Sequence, residues 1–104
     1  MQSTFAARHC EVADGLKARA HEVMDRLAHL PPHAIEGGVI FDLTAEGHLI
    51  ELKLHIPGGR WLVASAVRTD HRTARDRAEE KLKKQLDRAA TQYRRDRHAP
   101  GELP

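Results

Sequence analysis

The residues best placed to do chemistry in this 104-residue chain are cations. Between Asp70 and His98, Arg77, Lys81, Lys84, Arg88 and Arg95 recur at intervals of four, three, four and seven residues. At about 100° per residue they fall on one stripe of a helix. Asp76, Glu80 and Asp87 fall on a different stripe. Charges that alternate around a helix mainly keep it solvated, and pairs such as Glu80 with Lys84 and Lys83 with Asp87 add only a few tenths of a kcal/mol each. Charges segregated by sign instead suit a polyanion, because one flank can face several phosphates at once. Arg72 and Arg75 add cations to the first turns, where the helix dipole disfavours them by roughly 0.3 kcal/mol or more each.

Other chemistries find less support. Cys10 is the only cysteine, so no internal disulfide forms. It follows His9, but neighbours on a strand point to opposite faces, so no nucleophile has a placed base. His29 and His33 are the only histidines four apart, and Pro31-Pro32 between them breaks the helix a zinc pair would need. Gly37-Gly38 and Gly58-Gly59 read as turns rather than as a phosphate-cradling loop. We therefore expect no enzyme activity, no cofactor and no small-molecule substrate. No stretch has the length and apolarity of a membrane span, and Met1 is not followed by a secretory pattern, so the cytosol is the expected compartment.

The elements that position the cations follow from periodicity. Ser3–His9 is a short edge strand. Glu11–Gly15 is a turn, with Asp14 as N-cap of the next element. Leu16, Ala20, Val23, Leu27 and Leu30 form the apolar stripe of a first helix, flanked by Arg19 and Arg26 and stopped by Pro31-Pro32. Glu36-Gly37-Gly38 leads into a strand at Val39–Leu43. After a turn at Thr44–Gly47, His48–Ile56 alternates as a half-buried strand. Pro57-Gly58-Gly59 turns the chain into a fourth strand, Arg60–Thr69, and Asp70 caps a second helix of about 29 residues, some 43 Å long. Ala74, Ala78, Leu82, Leu86, Ala89 and Tyr93 give that helix its apolar stripe. The reading is an α+β domain over residues 1–98, in the order strand-helix-strand-strand-strand-helix, with a disordered tail at 99–104. The first crossover makes strand 1 parallel to strand 2, and both helices pack on one face of a four-stranded sheet. Side by side, the helices would bring Arg19 and Arg26 to meet Lys81, Lys84 and Arg88 across a shared groove. Trp61 and Tyr93 are expected at the core or its rim rather than as stacking platforms.

The formal net charge is only +2, but its distribution is uneven. Residues 1–69 hold seven basic and eight acidic groups, residues 70–98 hold ten and six, and the remainder adds one acid, so the sum is −1 +4 −1. The excess positive charge lies on the second helix.

Val63-Ala64-Ser65, then Asp70, Ala74 and Asp76, and Lys81-Leu82-Lys83-Lys84-Gln85-Leu86 resemble the ribosome hibernation-promoting factor and ribosome-associated inhibitor family, also called sigma-54 modulation proteins. Glu11-Val12 and Asp25-Arg26-Leu27-Ala28-His29-Leu30 resemble it too, and the likeness runs over about residues 3 to 95. The resemblance implies the same element order and a role in silencing idle ribosomes. Members occupy the channel between head and body of the small ribosomal subunit and cover the mRNA and tRNA positions. By motif match the implied contacts to ribosomal RNA are Arg26, Lys81 and Lys84, with Lys83 and Arg88. Arg19 and Arg77 come from the helical wheel alone. The alternative is a structured-RNA-binding module acting away from the ribosome.

The chain departs from the family at the start of the second helix. Where Asp-Met-Tyr is usual it has Asp70-His71-Arg72, and Arg75 and Glu79 stand where aliphatics are common. Ala78 replaces a larger residue. We expect this end of the helix to pack less well on the sheet.

Overall fold

A computed structural model of the chain describes residues 2–97, apart from the side chains of residues 93 and 95–97. The expected tail at 99–104 and the side chains of Tyr93 and Arg95 lie outside the described residues. Six elements follow in the expected order: β1 (Gln2–Arg8), α1 (Asp14–Ala28), β2 (Glu36–Thr44), β3 (Gly47–Ile56), β4 (Arg60–Arg68) and α2 (His71–Arg97). The strands form one sheet in the order β1-β2-β3-β4. β1 is parallel to β2, as the α1 crossover requires, and the other neighbours are antiparallel.

Register sets the two faces. Val39, Phe41, Ile50, Leu52, Leu54, Leu62, Ala64 and Ala66 align across the strands, and all are buried. Ala20, Val23, Met24 and Leu27 of α1 and Ala74, Ala78, Leu82, Leu86 and Ala89 of α2 join them in one core, so both helices cover this face. Burying a leucine such as Leu82 or Leu86 contributes about 1.5–3 kcal/mol, which holds α2 to the sheet despite its charge.

Three local expectations change. Asp14 is the first helical residue rather than the N-cap; Ala13 holds that position with no side-chain hydrogen bond, and Asp14 instead places negative charge at the dipole's positive end. α1 ends at Ala28, short of Leu30, because the residue before a proline is disfavoured in helical geometry. Gly37 and Gly38 lie within β2 instead of in a turn. A Cβ at Gly37 would come within 2.7 Å of Met24 Cε and 3.1 Å of the Lys53 carbonyl oxygen, so this glycine leaves room for the Met24 side chain of α1.

The start of α2 also packs better than its departures suggest. His71 is buried; its ring meets the edge of Phe41 at 5.4 Å and of His48 at 4.8 Å, and its Nε2 bonds the Asp42 carbonyl at 2.8 Å. The imidazole thus fills an inward position and finds a polar partner there. Asp70 caps the helix as expected, accepting from the Thr73 backbone N–H at 2.8 Å and from the Thr73 hydroxyl at 3.1 Å. Those bonds hold its carboxyl below the ordinary aspartate value.

Candidate nucleic-acid interface

α2 lies with one flank toward the free edge of β4 and the other toward α1. On the β4 side, Lys81 Nζ donates to the Ser65 carbonyl at 2.8 Å and Gln85 Nε2 to the Val63 carbonyl at 2.7 Å. Four helical residues rise about 6 Å and two strand residues about 6.7 Å, so the i,i+4 pair matches alternate carbonyls along the edge. The pairing covers part of an edge that would otherwise offer open hydrogen-bonding groups. Arg77, Lys84 and Arg88 share this flank with Lys81. Arg77 donates to Glu80 at 3.1 Å, so Glu80 partners Arg77 rather than the expected Lys84. Lys84 and Arg88 are exposed, and among the described residues neither has an ion-pair partner.

The α1 side differs in kind. Arg26 of α1 bridges to Glu79 of α2, Arg19 pairs with Glu22 at 3.6 Å, and Arg75 pairs with Asp76 at 3.2 Å. These six residues and Val23 line a cleft of about 110 Å³ between the helices. Three guanidinium groups and three carboxylates nearly cancel. Arg75 is buried, and its Nε has no hydrogen-bond partner. An orphaned polar atom of this kind costs about 1–3 kcal/mol.

The structure therefore does not bring the expected residues into one groove. Arg26 meets Glu79, while Lys81 is turned to the opposite edge of α2. The reason lies in the phase of the helix: at about 100° per residue, Glu79 and Lys81 lie on opposite sides of the Ala78–Leu82–Leu86 stripe. Lys83 falls on the Glu79 side and is exposed; its expected partner Asp87 makes no ion pair with it. Gln85, Glu79 and Arg75 shape the site and were not singled out as contacts. Gln85 carried a signal, being four residues past Lys81 on the same flank. Trp61 is outside the core, 46% exposed on the face of the sheet opposite the helices.

His9 Nδ1 and Asp42 share a hydrogen bond at 3.0 Å, which holds the Asp42 carboxyl below its ordinary value. Among the described residues no three His, Cys, Asp or Glu side chains assemble as a metal site, and no helix is long and apolar enough to cross a membrane.

Comparison with known proteins bears on this geometry. The sequence profile of the family described as sigma 54 modulation protein / S30EA ribosomal protein matches residues 4–94. Curated protein sequences give no match. A ribosomal subunit interface protein from Coxiella burnetii has a similar structure, with a TM-score of 0.77 at 17% identity, covering 86% of this chain and 97% of that one. The N-terminal domain of Thermus thermophilus Protein Y is also similar, with a TM-score of 0.71 at 22% identity over 82% of this chain and 93% of that one. At these identities the two structures speak for the fold, and the profile speaks for the family.

Proposed function

The chain belongs to the sigma 54 modulation protein / S30EA ribosomal protein family, and from that premise we propose that it is a translation silencer. It binds the small ribosomal subunit at the decoding region through one domain, residues 1–98, and blocks the mRNA and tRNA sites by occupying them. The observation that carries this reading is the β4-side flank of α2, where Arg77, Lys81, Lys84 and Arg88 line up beside a sheet edge. Lys84 and Arg88 have no carboxylate among the described residues to answer them. Phosphate contacts from such a row bind RNA by backbone and shape and need no cofactor. Arg19 and Arg26 contribute at most at the margin, since each already faces a carboxylate.

The test is sedimentation of the purified chain with isolated small subunits at low and moderate salt, with and without tRNA. The expected result is stoichiometric binding that tRNA displaces and salt weakens. Four phosphate contacts give a slope of log K against log salt of roughly −3. Failure to bind at low salt, or binding indifferent to tRNA, contradicts the proposal. Binding to free structured RNA but not to subunits would favour a module acting away from the ribosome.

A further inference from the structure

The face of the sheet opposite the helices carries an aromatic stack. Trp61, the chain's only tryptophan, stands directly across from His55, and their rings stack at 4.7 Å with 8° between planes. His55 Nδ1 shares a 3.1 Å hydrogen bond with Glu36, which fixes the imidazole under the indole. The Lys53 ammonium lies 5.4 Å from the Trp61 ring centroid. Gly38 stands opposite Lys53 on β2, and a Cβ there would sit 2.8 Å from Lys53 Cε. Val63, next on this face, is 45% exposed. A cross-strand aromatic pair stabilises a sheet by itself. That accounts for the stack but not for an indole left nearly half exposed beside an exposed valine.

Position supplies the missing link. Val63 and Ser65 are the residues whose carbonyls receive Gln85 and Lys81 at the free edge of β4. Trp61 lies two residues, about 7 Å, beyond Val63 on the same strand. The cationic flank of α2 and the aromatic stack thus meet along one rim. We propose that the RNA surface continues around this rim and that Trp61 is a stacking platform for an unpaired base of the RNA held by α2. His55 stacks on one face of the half-exposed indole, so the base would take the other, with the Lys53 ammonium over the ring to meet its phosphate; such stacking is tolerant of base identity. The row of cations at the rim favours RNA over a protein as occupant. The inference rests on α2 being an RNA-binding flank.

Because Trp61 is the only tryptophan, its emission reports the platform directly. A short single-stranded oligoadenylate should quench it, and a duplex RNA of equal length should not. In sedimentation with small subunits, Trp61→Ala should lower affinity about tenfold and Trp61→Phe less than about threefold, with both circular dichroism spectra unchanged. Emission unaltered by oligoadenylate overturns the platform, and the quenching test needs no variant that might misfold. If Trp61→Ala weakens subunit binding while oligoadenylate leaves the emission unchanged, a protein surface covers Trp61 and base stacking is wrong. Subunit binding by wild type without quenching refutes the platform alone. Quenching without subunit binding refutes the ribosomal reading and leaves the platform standing.

Discussion

On the β4 side of α2, Lys84 and Arg88 face no carboxylate among the described residues, and Lys81 spends one proton on a backbone carbonyl. On the α1 side, Arg19, Arg26 and Arg75 each face an acid. Both regions are rich in cations, but the three arginines of the cleft are each paired with an acid, whereas Lys84 and Arg88, like Lys83 on the α1 side, have no ion-pair partner among the described residues. An RNA phosphate arriving at Arg26 must displace Glu79, whereas at Lys84 or Arg88 it displaces water and counterions. On the proposed reading, availability, more than the count of basic residues, separates an RNA-binding flank from an interhelical clasp.

The sharpest way to break this comparison is charge reversal on the unpaired flank. Lys84→Glu with Arg88→Glu should weaken small-subunit binding by about a hundredfold, since two charge-assisted contacts at roughly 1.5 kcal/mol each are lost. Melting temperature should hardly change, because among the described residues neither has an ion-pair partner to lose. This pair is cleaner than one including Lys81, whose reversal would also set a carboxylate against the Ser65 carbonyl. Smaller is the effect expected of Arg75→Met in the clasp. It removes the orphaned Nε and keeps an apolar stem, and replacing buried ionic groups by packed hydrophobes is often neutral or stabilising. We expect a gain of up to about 1 kcal/mol, or roughly 4 °C in Tm by calorimetry, with subunit binding unchanged. A large loss of stability would show that the guanidinium holds the helices together.

Neutralising the clasp sharpens the contrast further. Arg19→Gln with Arg26→Gln should alter subunit affinity by less than about threefold, in keeping with exposed pairs worth well under 1 kcal/mol. Smallest is an effect of pH on the start of α2. The Asp70 carboxyl is depressed by its bonds from Thr73, so its cap contributes fully above the ordinary value of 3.8. The contribution is lost as pH falls through the lower folded value. Below that range, protection factors of the amides in the first turn of α2 should fall in wild type. Asp70→Asn, which retains a capping oxygen, should flatten the response.

Much of the fold was legible because periodicity survives without context. The Ala74–Leu82–Leu86 stripe and the alternation of Ile50, Leu52, Leu54 and Ile56 name the inward faces directly, and the tight turns between strands leave little choice of topology. Context-dependent details were not legible. Gly37 looks like a turn residue until Met24 of α1 is placed above it. His71 looks like a polar residue in an apolar place until Phe41, His48 and the Asp42 carbonyl surround it. The cationic stripe was visible on the wheel, but not which neighbour each flank would meet. That depends on the roll of α2 about its own axis, set by how its buried stripe seats in the core. The shared groove between Arg26 and Lys81 failed for this reason. Trp61 was misplaced because register on β4 decides which face it takes, and an isolated aromatic in a strand carries no sign of that.

The central claim is that RNA of the small subunit lies against the β4 side of α2. Tethered cleavage tests it most directly. With Cys10→Ser as background, an iron chelate is attached through Gln92→Cys, on the β4 side, or through Glu22→Cys, at the α1 cleft. Each labelled protein is then bound to small subunits and the ribosomal RNA is mapped for strand breaks. The account predicts strong cuts from position 92 clustered in the decoding region, and weaker, displaced cuts from position 22. Cleavage dominated by position 22, or cuts from position 92 that fall outside the decoding region, would contradict it.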